Sequence, residues 1–346
     1  MRTQLIKIDP ENIDANNIRK SANILRNGGL VAFPTETVYG LGANALNPNA
    51  VCKIFEVKGR PPDNPLIIHI GRKADLERLA VNIPQDAELL IKNFWPGPLT
   101  LILKKSSIIP KIVNAGLETV AIRMPSNKIA LSLIKEANVP ISAPSANIST
   151  RPSPTSADHV INDLGEKVDL IIDGGETNIG VESSVIDLTT TPRTLLRPGG
   201  VTFEDLQAVL GKNNVQKLDS KPQYDQFKPK SPGMKYRHYS PKADVFLVEG
   251  QTPNVEEKVQ EIATYYKKEG CKVGIMTVKE THHYQADKVK FIGHDFETIA
   301  QNMFKTFRKF DKNGMDVIIM EGVEEKQLGL AIMNRLRKAA KEIIYA

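Results

Sequence analysis

Short apolar runs rich in β-branched side chains alternate with segments of helical spacing through the first two thirds of the chain, separated by Pro and Gly turns. That alternation predicts a mixed α/β domain. Met1 to Ile8 alternates apolar and polar positions like a strand, Gly28-Gly29 closes a first helix, and Leu30-Val31-Ala32-Phe33 begins a strand directly after it. Further strands are predicted at Leu66–Ile70, Leu99–Leu103, Val120–Arg123 and Leu170–Asp173, with helical spacing over Asn127–Ala137. After Gly211 the pattern changes: from Lys212 to Lys242 eight Lys/Arg stand against two Asp, among several prolines and few large apolar residues. This stretch reads as a linker.

Regular order then returns. Strands at Val245–Val248, Val273–Met276 and Val317–Met320 alternate with a helix near Val255–Lys268 and another from about Glu297, which predicts a small parallel or mixed sheet. Ile299, Ala300, Met303, Phe304 and Phe307 share one face of the last helix, the spacing of a core-facing stripe. The chain therefore divides into residues 1–211, a linker 212–242, and a second domain 243–346. Its 346 residues are more than one core usually absorbs.

Composition narrows the class without fixing it. Two cysteines far apart in sequence, Cys52 and Cys271, supply neither a disulfide framework nor a Cys-rich zinc site, so a reducing cytoplasm is expected. No run approaches the roughly 20 apolar residues of a membrane span, and the N-terminus lacks the apolar core of a signal peptide. The net charge of +6 suits anionic substrates or nucleic acid, but Lys-rich solvated surfaces give the same balance.

The segment Phe33-Pro34-Thr35-Glu36-Thr37-Val38-Tyr39-Gly40-Leu41-Gly42 follows a strand directly and combines hydroxyls, a carboxylate and glycines. Loops at strand ends are usual places for ligands. Its Gly40-x-Gly42-x-x-Ala45 matches a dinucleotide fingerprint only formally, because a polar insertion separates it from the strand. In Lys58-Gly59-Arg60-Pro61-Pro62-Asp63-Asn64-Pro65, two cations in a proline-stiffened loop suit phosphate oxygens, Lys as a point charge and Arg as a planar fork; a solvated loop is the plainer alternative. Ser142-Ala143-Pro144-Ser145-Ala146-Asn147 packs small and hydroxyl residues into a bend whose amides can cradle an anion or simply cap a helix. Glu182-Ser183-Ser184 and Leu196-Arg197-Pro198-Gly199-Gly200 add a hydroxyl pair and another loop cation, or only turns. His69 lies within an apolar strand, where a hydrogen-bonded core histidine is the commoner outcome. His282-His283 lacks companion ligands and reads as exposed polar residues. No Walker-type phosphate loop and no serine-hydrolase elbow is present.

In this order the segments resemble the YrdC family of threonylcarbamoyladenylate synthases: Lys58-Gly59-Arg60 matches its K-x-R and Ser145-Ala146-Asn147 its S-x-N. Trp95-Pro96-Gly97-Pro98-Leu99-Thr100 and Arg123-Met124-Pro125 extend the likeness, and Pro232 to Pro241 and Gly329 to Lys338 are similar to the linker and C-terminal domain of the long form. The resemblance implies a curved mixed-sheet α/β catalytic domain with a large cavity, joined to a smaller Rossmann-like α/β domain. It also implies that threonine and bicarbonate combine as N-carboxythreonine, which attacks the α-phosphate of ATP. By the same resemblance Lys58 and Arg60 are the catalytic cations. Thr35, His69, Arg123, Ser142, Ser183 and Ser184 would hold L-threonine. Lys58, Arg60, Asn64, Thr119, Ala143, Ser145, Asn147, Arg197 and Tyr236 would hold ATP, and Tyr236, His238 and Tyr239 would form a lid. Mg2+ is expected with ATP, and no structural metal. The product would pass to the machinery that transfers threonylcarbamoyl to tRNA, with direct tRNA contact allowed but not required. An RNA-binding module without catalysis is the main alternative, against which stand the absence of an RNA-recognition motif and an aromatic content of 6%. A carbamoyltransferase of hydrogenase maturation would need zinc-binding Cys clusters that this chain lacks, and a purely structural role leaves the hydroxyl-rich loops unexplained.

Overall fold

The structure, a computed structural model, describes residues 3–218, 229–232, 238–251 and 254–346. It divides into two compact units, Met1–Ser149 with Pro154–Asn178 and Glu182–Tyr236, and Thr150–Ser153 with Ile179–Val181 and Arg237–Ala346. Among the described residues no helix is long and apolar enough to cross a membrane.

The larger unit is built on a twelve-stranded mixed sheet whose neighbours are often remote in sequence. Gln4–Lys7 pairs in parallel with Leu170–Asp173, and Ile67–His69 lies between Ile141–Ser142 and Thr119–Arg123. Strand alternation sends successive side chains to opposite faces. Ala32, Leu41, Ala43, Ile68, Leu101 and Ile122 face a core completed by Val51, Ile54 and Phe55 of helix Pro48–Lys58 and Leu90 of helix Gln85–Phe94. On the other face Val31, Phe33, Ile141 and Ile172 pack under helices Ala15–Arg26 and Lys128–Ala137, through Ile18, Ala22, Leu25, Ile129 and Leu133. Farther along that same face the apolar positions are Ile67, Ile102, Ala121 and Val185, with Leu196 against them. No helix residue joins this cluster among the described residues.

The sheet reaches past Gly211. Lys212–Asn214 forms a 3-10 turn, and Val215–Lys217 adds a strand parallel to Arg193–Arg197. Within the stretch read as a linker, residues 215–217 thus form a short edge strand despite their polar composition, docked by one buried apolar residue, Val215.

The smaller unit carries a five-stranded sheet in the order Lys288–Phe291, Val273–Thr277, Val317–Glu321, Asp244–Glu249, Glu342–Tyr345, parallel throughout. Both faces are covered, as parallel sheets require. Helix Asn254–Lys268 packs Val255, Val259 and Ile262 on one face; helices Phe296–Lys312 and Leu328–Ala339 cover the other. The predicted stripe Ile299, Ala300, Met303, Phe304 and Phe307 is buried there, with Phe310 added. His282 departs from its reading as an exposed residue. It is 8% exposed and hydrogen-bonds Glu321, a buried carboxylate at a strand end that also accepts from Thr277 Oγ1, the Val278 amide and the Tyr284 hydroxyl. A carboxylate without water needs such donors, and sequence spacing does not reveal them.

Candidate active site

Helix Pro48–Lys58 ends on Gly59, whose φ of 59° lies in the left-handed region, so the chain turns sharply between Lys58 and Arg60. Nothing within 4 Å of an added Cβ crowds Gly59, so its backbone conformation, not space, calls for glycine. Lys58 is 2% exposed, and its ammonium donates to the carbonyl oxygens of Ser145 and Asn147. The Ser149 amide donates back to the Lys58 carbonyl at 2.8 Å. The K-x-R and S-x-N segments are thereby fastened together. Arg60 donates to the carbonyl oxygens of Asn64 and Pro65, drawing the proline loop around its guanidinium. Asn64 is 1% exposed and both polar atoms of its side-chain amide are buried without a hydrogen-bond partner.

Arg123 closes strand Thr119–Arg123 and is paired in register with His69 and with Thr100. Paired residues project to the same face, so Thr119, Ala121 and Arg123 line the face of the Ile67–Val185 cluster, with His69 and Thr100 beside them. Three groups take Arg123 N–H donors: the Gly97 carbonyl at 3.2 Å, Thr37 Oγ1 at 3.0 Å and Glu36 Oε1 at 2.6 Å. Thr35, two residues from Thr37, shares a 2.8 Å hydroxyl contact with it and donates to the Val38 carbonyl. A hydroxyl-and-carboxylate loop is therefore wired to the arginine of a strand remote in sequence.

His69 is fully enclosed. Burial, with the positive Arg123 beside it, lowers its pKa to about 3, so the ring is a neutral imidazole at ordinary pH. Its unfolded counterpart titrates near 6.5, so below that value the unfolded chain binds the extra proton and stability falls as pH drops from about 6.5 towards about 3. The loss approaches about 1.4 kcal/mol per pH unit in that window. Unfolding free energies of the parent and of His69→Gln, compared at successive pH values, should show this slope in the parent alone.

The two neighbouring serines separate. Ser183 Oγ lies 2.8 Å from Thr100 Oγ1 and 3.1 Å from Arg197 Nη2, while Arg197 Nε donates to the Ser183 carbonyl. Ser184 Oγ instead bonds the backbone of Val201. Gly199 makes this approach feasible, since a Cβ there would meet the backbone of Glu182, Ser183 and Ser184 at 2.3 to 2.4 Å. Ser142 is paired with Ile68 and Ala43, which sets it on the face opposite His69, its hydroxyl buried without a partner. Ala143 and Asn147 are buried in the same bend, and Ser145 is half-buried.

Of the residues read as a lid, Tyr236 lies outside the described residues. Tyr239 stacks on Phe304 at 5.4 Å and lies under Arg335, within the core of the smaller unit, with His238 next to it. The linker residues Pro229–Pro232 belong to the larger unit, where Lys230 Nζ lies 2.8 Å from Asp187, a carboxylate 1% exposed. Sequence reasoning assigned no role to Glu36, Thr37, Thr100 or this Lys230–Asp187 pair. Glu36 and Thr37 were visible inside the hydroxyl-rich segment, but their partner was not.

A family model described as telomere recombination, for Sua5, YciO and YrdC, matches residues 23–199, and one for the threonylcarbamoyl-AMP synthase C-terminal domain matches residues 201–341. The threonylcarbamoyl-AMP synthase of Pyrococcus abyssi is 55% identical over 330 residues, covering 95% of this chain and 96% of its own. That of Bacillus subtilis is 50% identical over 329 residues, covering 93% and 92%. The crystal structure of P. abyssi Sua5 complexed with L-threonine matches with a TM-score of 0.93 at 53% identity, over 99% of this chain and 100% of that one. This chain belongs to the Sua5/YciO/YrdC family, in the form that carries the threonylcarbamoyl-AMP synthase C-terminal domain, and is an enzyme of the nucleotidyl-transfer type.

Proposed function

We propose that the protein makes threonylcarbamoyl-AMP and pyrophosphate from L-threonine, bicarbonate and ATP, in the cytoplasm, for the machinery that installs threonylcarbamoyladenosine in tRNA. The observation that carries the reading is the placement of Thr119, Arg123, Thr100 and His69 on one face of the sheet, with Ser183 bonded to Thr100 and Arg197 bonded in turn to Ser183. An amino acid and a nucleotide need such a surface: cations for carboxylate and phosphate, hydroxyls for orientation, and an apolar floor.

In this reading Arg123, Thr35, His69 and Ser183 hold threonine, and Ser184 steadies Ser183 through the backbone of Val201. Ser142 stands on the far face of its strand. Lys58, Arg60 and Asn64 hold the phosphates, while Thr119, Ala143, Ser145, Asn147 and Arg197 line the nucleotide. The carboxylate oxygen of N-carboxythreonine attacks the α-phosphorus, the bond to the β-phosphate oxygen breaks, and pyrophosphate leaves. No covalent enzyme intermediate is involved, and catalysis is positioning plus electrostatic stabilisation by Lys58 and Arg60. Mg2+ arrives with the ATP phosphates. Lys58 and Arg60 would be the protein's own share of the positive charge beside it. In this reading the linker covers the bound intermediate against hydrolysis, with Lys230 on Asp187 as one anchor and Tyr236 and His238 as lid residues.

The test is pyrophosphate release from ATP by the purified chain with and without L-threonine and bicarbonate, with mass spectrometry for the adenylate. Release that requires both co-substrates, with the adenylate detected, is expected. A folded protein, supplied with Mg2+, that shows no threonine dependence would sink the proposal and favour RNA binding without catalysis.

A further inference from the structure

Glu36 has no assigned part in the chemistry above, yet its setting is unusual for a carboxylate. It is 7% exposed, one oxygen is 2.6 Å from Arg123, and the other, Oε2, is buried without a hydrogen-bond partner. A buried carboxylate oxygen left bare costs free energy unless a donor reaches it. Arg123 is incompletely used as well: of the five N–H donors of a guanidinium, three have partners among the described residues. The pair therefore presents an unsatisfied negative oxygen beside an unsatisfied positive fork. An α-amino acid carries the complementary charges one carbon apart, its carboxylate suited to the arginine fork and its ammonium to the bare oxygen.

The first chemical step needs more than binding. Threonine reaches the site as an ammonium ion, which has no lone pair, so carboxylation waits on removal of a proton. His69 is a poor acceptor, because burial and Arg123 keep its ring neutral down to about pH 3. We propose that Glu36 receives the substrate ammonium at Oε2 and is the proton acceptor for carboxylation of the amine. This rests on the reading of the chain as a threonine- and bicarbonate-dependent synthase. Glu36 takes one N–H proton and leaves the amine lone pair free. That proton passes to the hydroxyl of bicarbonate, whose C–O bond breaks to give water and carbon dioxide. The lone pair then forms the C–N bond, and the remaining ammonium-type proton leaves through Glu36 to solvent. In sum, ammonium and bicarbonate give carbamate, water and one proton. Glu36 is thereby a catalytic residue, and Arg123, which holds its other oxygen, also fixes its direction.

The experiment compares two directions of the reaction in Glu36→Gln, with Glu36→Asp as a second variant that keeps the acid. Forward synthesis from threonine, bicarbonate and ATP requires amine deprotonation. Pyrophosphorolysis of supplied threonylcarbamoyl-AMP to ATP does not, since its nitrogen is already acylated. Glu36→Gln should lose about a hundredfold or more in forward rate and less than about tenfold in pyrophosphorolysis, with Glu36→Asp recovering part of the forward rate. Equal losses in both directions would reduce Glu36 to a structural partner of Arg123 and overturn the proposal, as would an unimpaired forward rate. Failure of the synthase reading itself shows earlier and separately, in the parent protein making no adenylate.

Discussion

Arg123→Met should destabilise the protein by about 3–5 kcal/mol and abolish threonine-dependent pyrophosphate release. Arg123 is 4% exposed, and the carboxylate it neutralises, Glu36, is buried with it. Without the guanidinium, Glu36 must either remain charged where water does not reach or take up a proton. The Gly97 carbonyl and Thr37 hydroxyl lose donors in the same change. Urea denaturation reads the stability effect. The double variant Arg123→Met with Glu36→Met separates charge from packing, because removing both ions of a buried pair costs far less than stranding one. It should be more stable than Arg123→Met and just as inactive. A double variant no more stable than the single would mean that the lost stability comes from the other contacts of Arg123.

Much of the architecture is legible locally, because strand and helix periodicity is a local property. The stripe from Ile299 to Phe307 predicts its helix and its buried face from spacing alone, and Val31-Ala32-Phe33 predicts its strand from an apolar run and the glycines before it. Pairing is not local. Gln4–Lys7 lies beside Leu170–Asp173, with Ile6 packed against the core that Leu170 and Ile172 share with two helices, a fact about packing that neither segment carries in its own pattern. Val215–Lys217 was lost in a run of lysines for the related reason that an edge strand needs only one buried side chain.

The site divides in the same way. Residue types suited to phosphate and amino-acid recognition stand out along the chain, and the order of their motifs points to the family. Which atoms they spend on one another does not stand out. Ser183 and Ser184 are neighbours of identical chemistry, yet alternation along the strand turns one towards Thr100 and Arg197 and the other into the backbone of Val201. Glu36 was visible as a carboxylate among hydroxyls, but the arginine that defines it is 87 residues away. From its strand His69 reads as a core histidine, and by resemblance as a threonine contact. Its enclosure beside Arg123 keeps the ring neutral down to about pH 3, while the bare oxygen of Glu36 is a fact of packing that the sequence does not carry.

Lys58→Ala should lower pyrophosphate release by about 10²–10³-fold and stability as well, and the two effects have different origins. The ammonium fastens the helix end to the S-x-N bend through the carbonyl oxygens of Ser145 and Asn147. Losing the ammonium costs about 1–3 kcal/mol where a buried acceptor is left short of a donor, and less at the Ser145 oxygen, which keeps the Asn147 amide at 3.0 Å. The rate effect comes from the charge itself, which would no longer stabilise the negative charge gathering on the phosphates as the α-phosphorus is attacked. Folded fraction measured by circular dichroism, with rates taken well below the variant's unfolding midpoint and corrected for that fraction, keeps the two apart. Lys58→Arg retains the charge but spreads it over a wider fork that cannot enter the same gap between carbonyls, so it should recover stability poorly and rate in part. If folded Lys58→Ala releases pyrophosphate at close to the parent rate, Lys58 is only the tie between helix and bend, and phosphate charge must be met by Arg60 and Arg197.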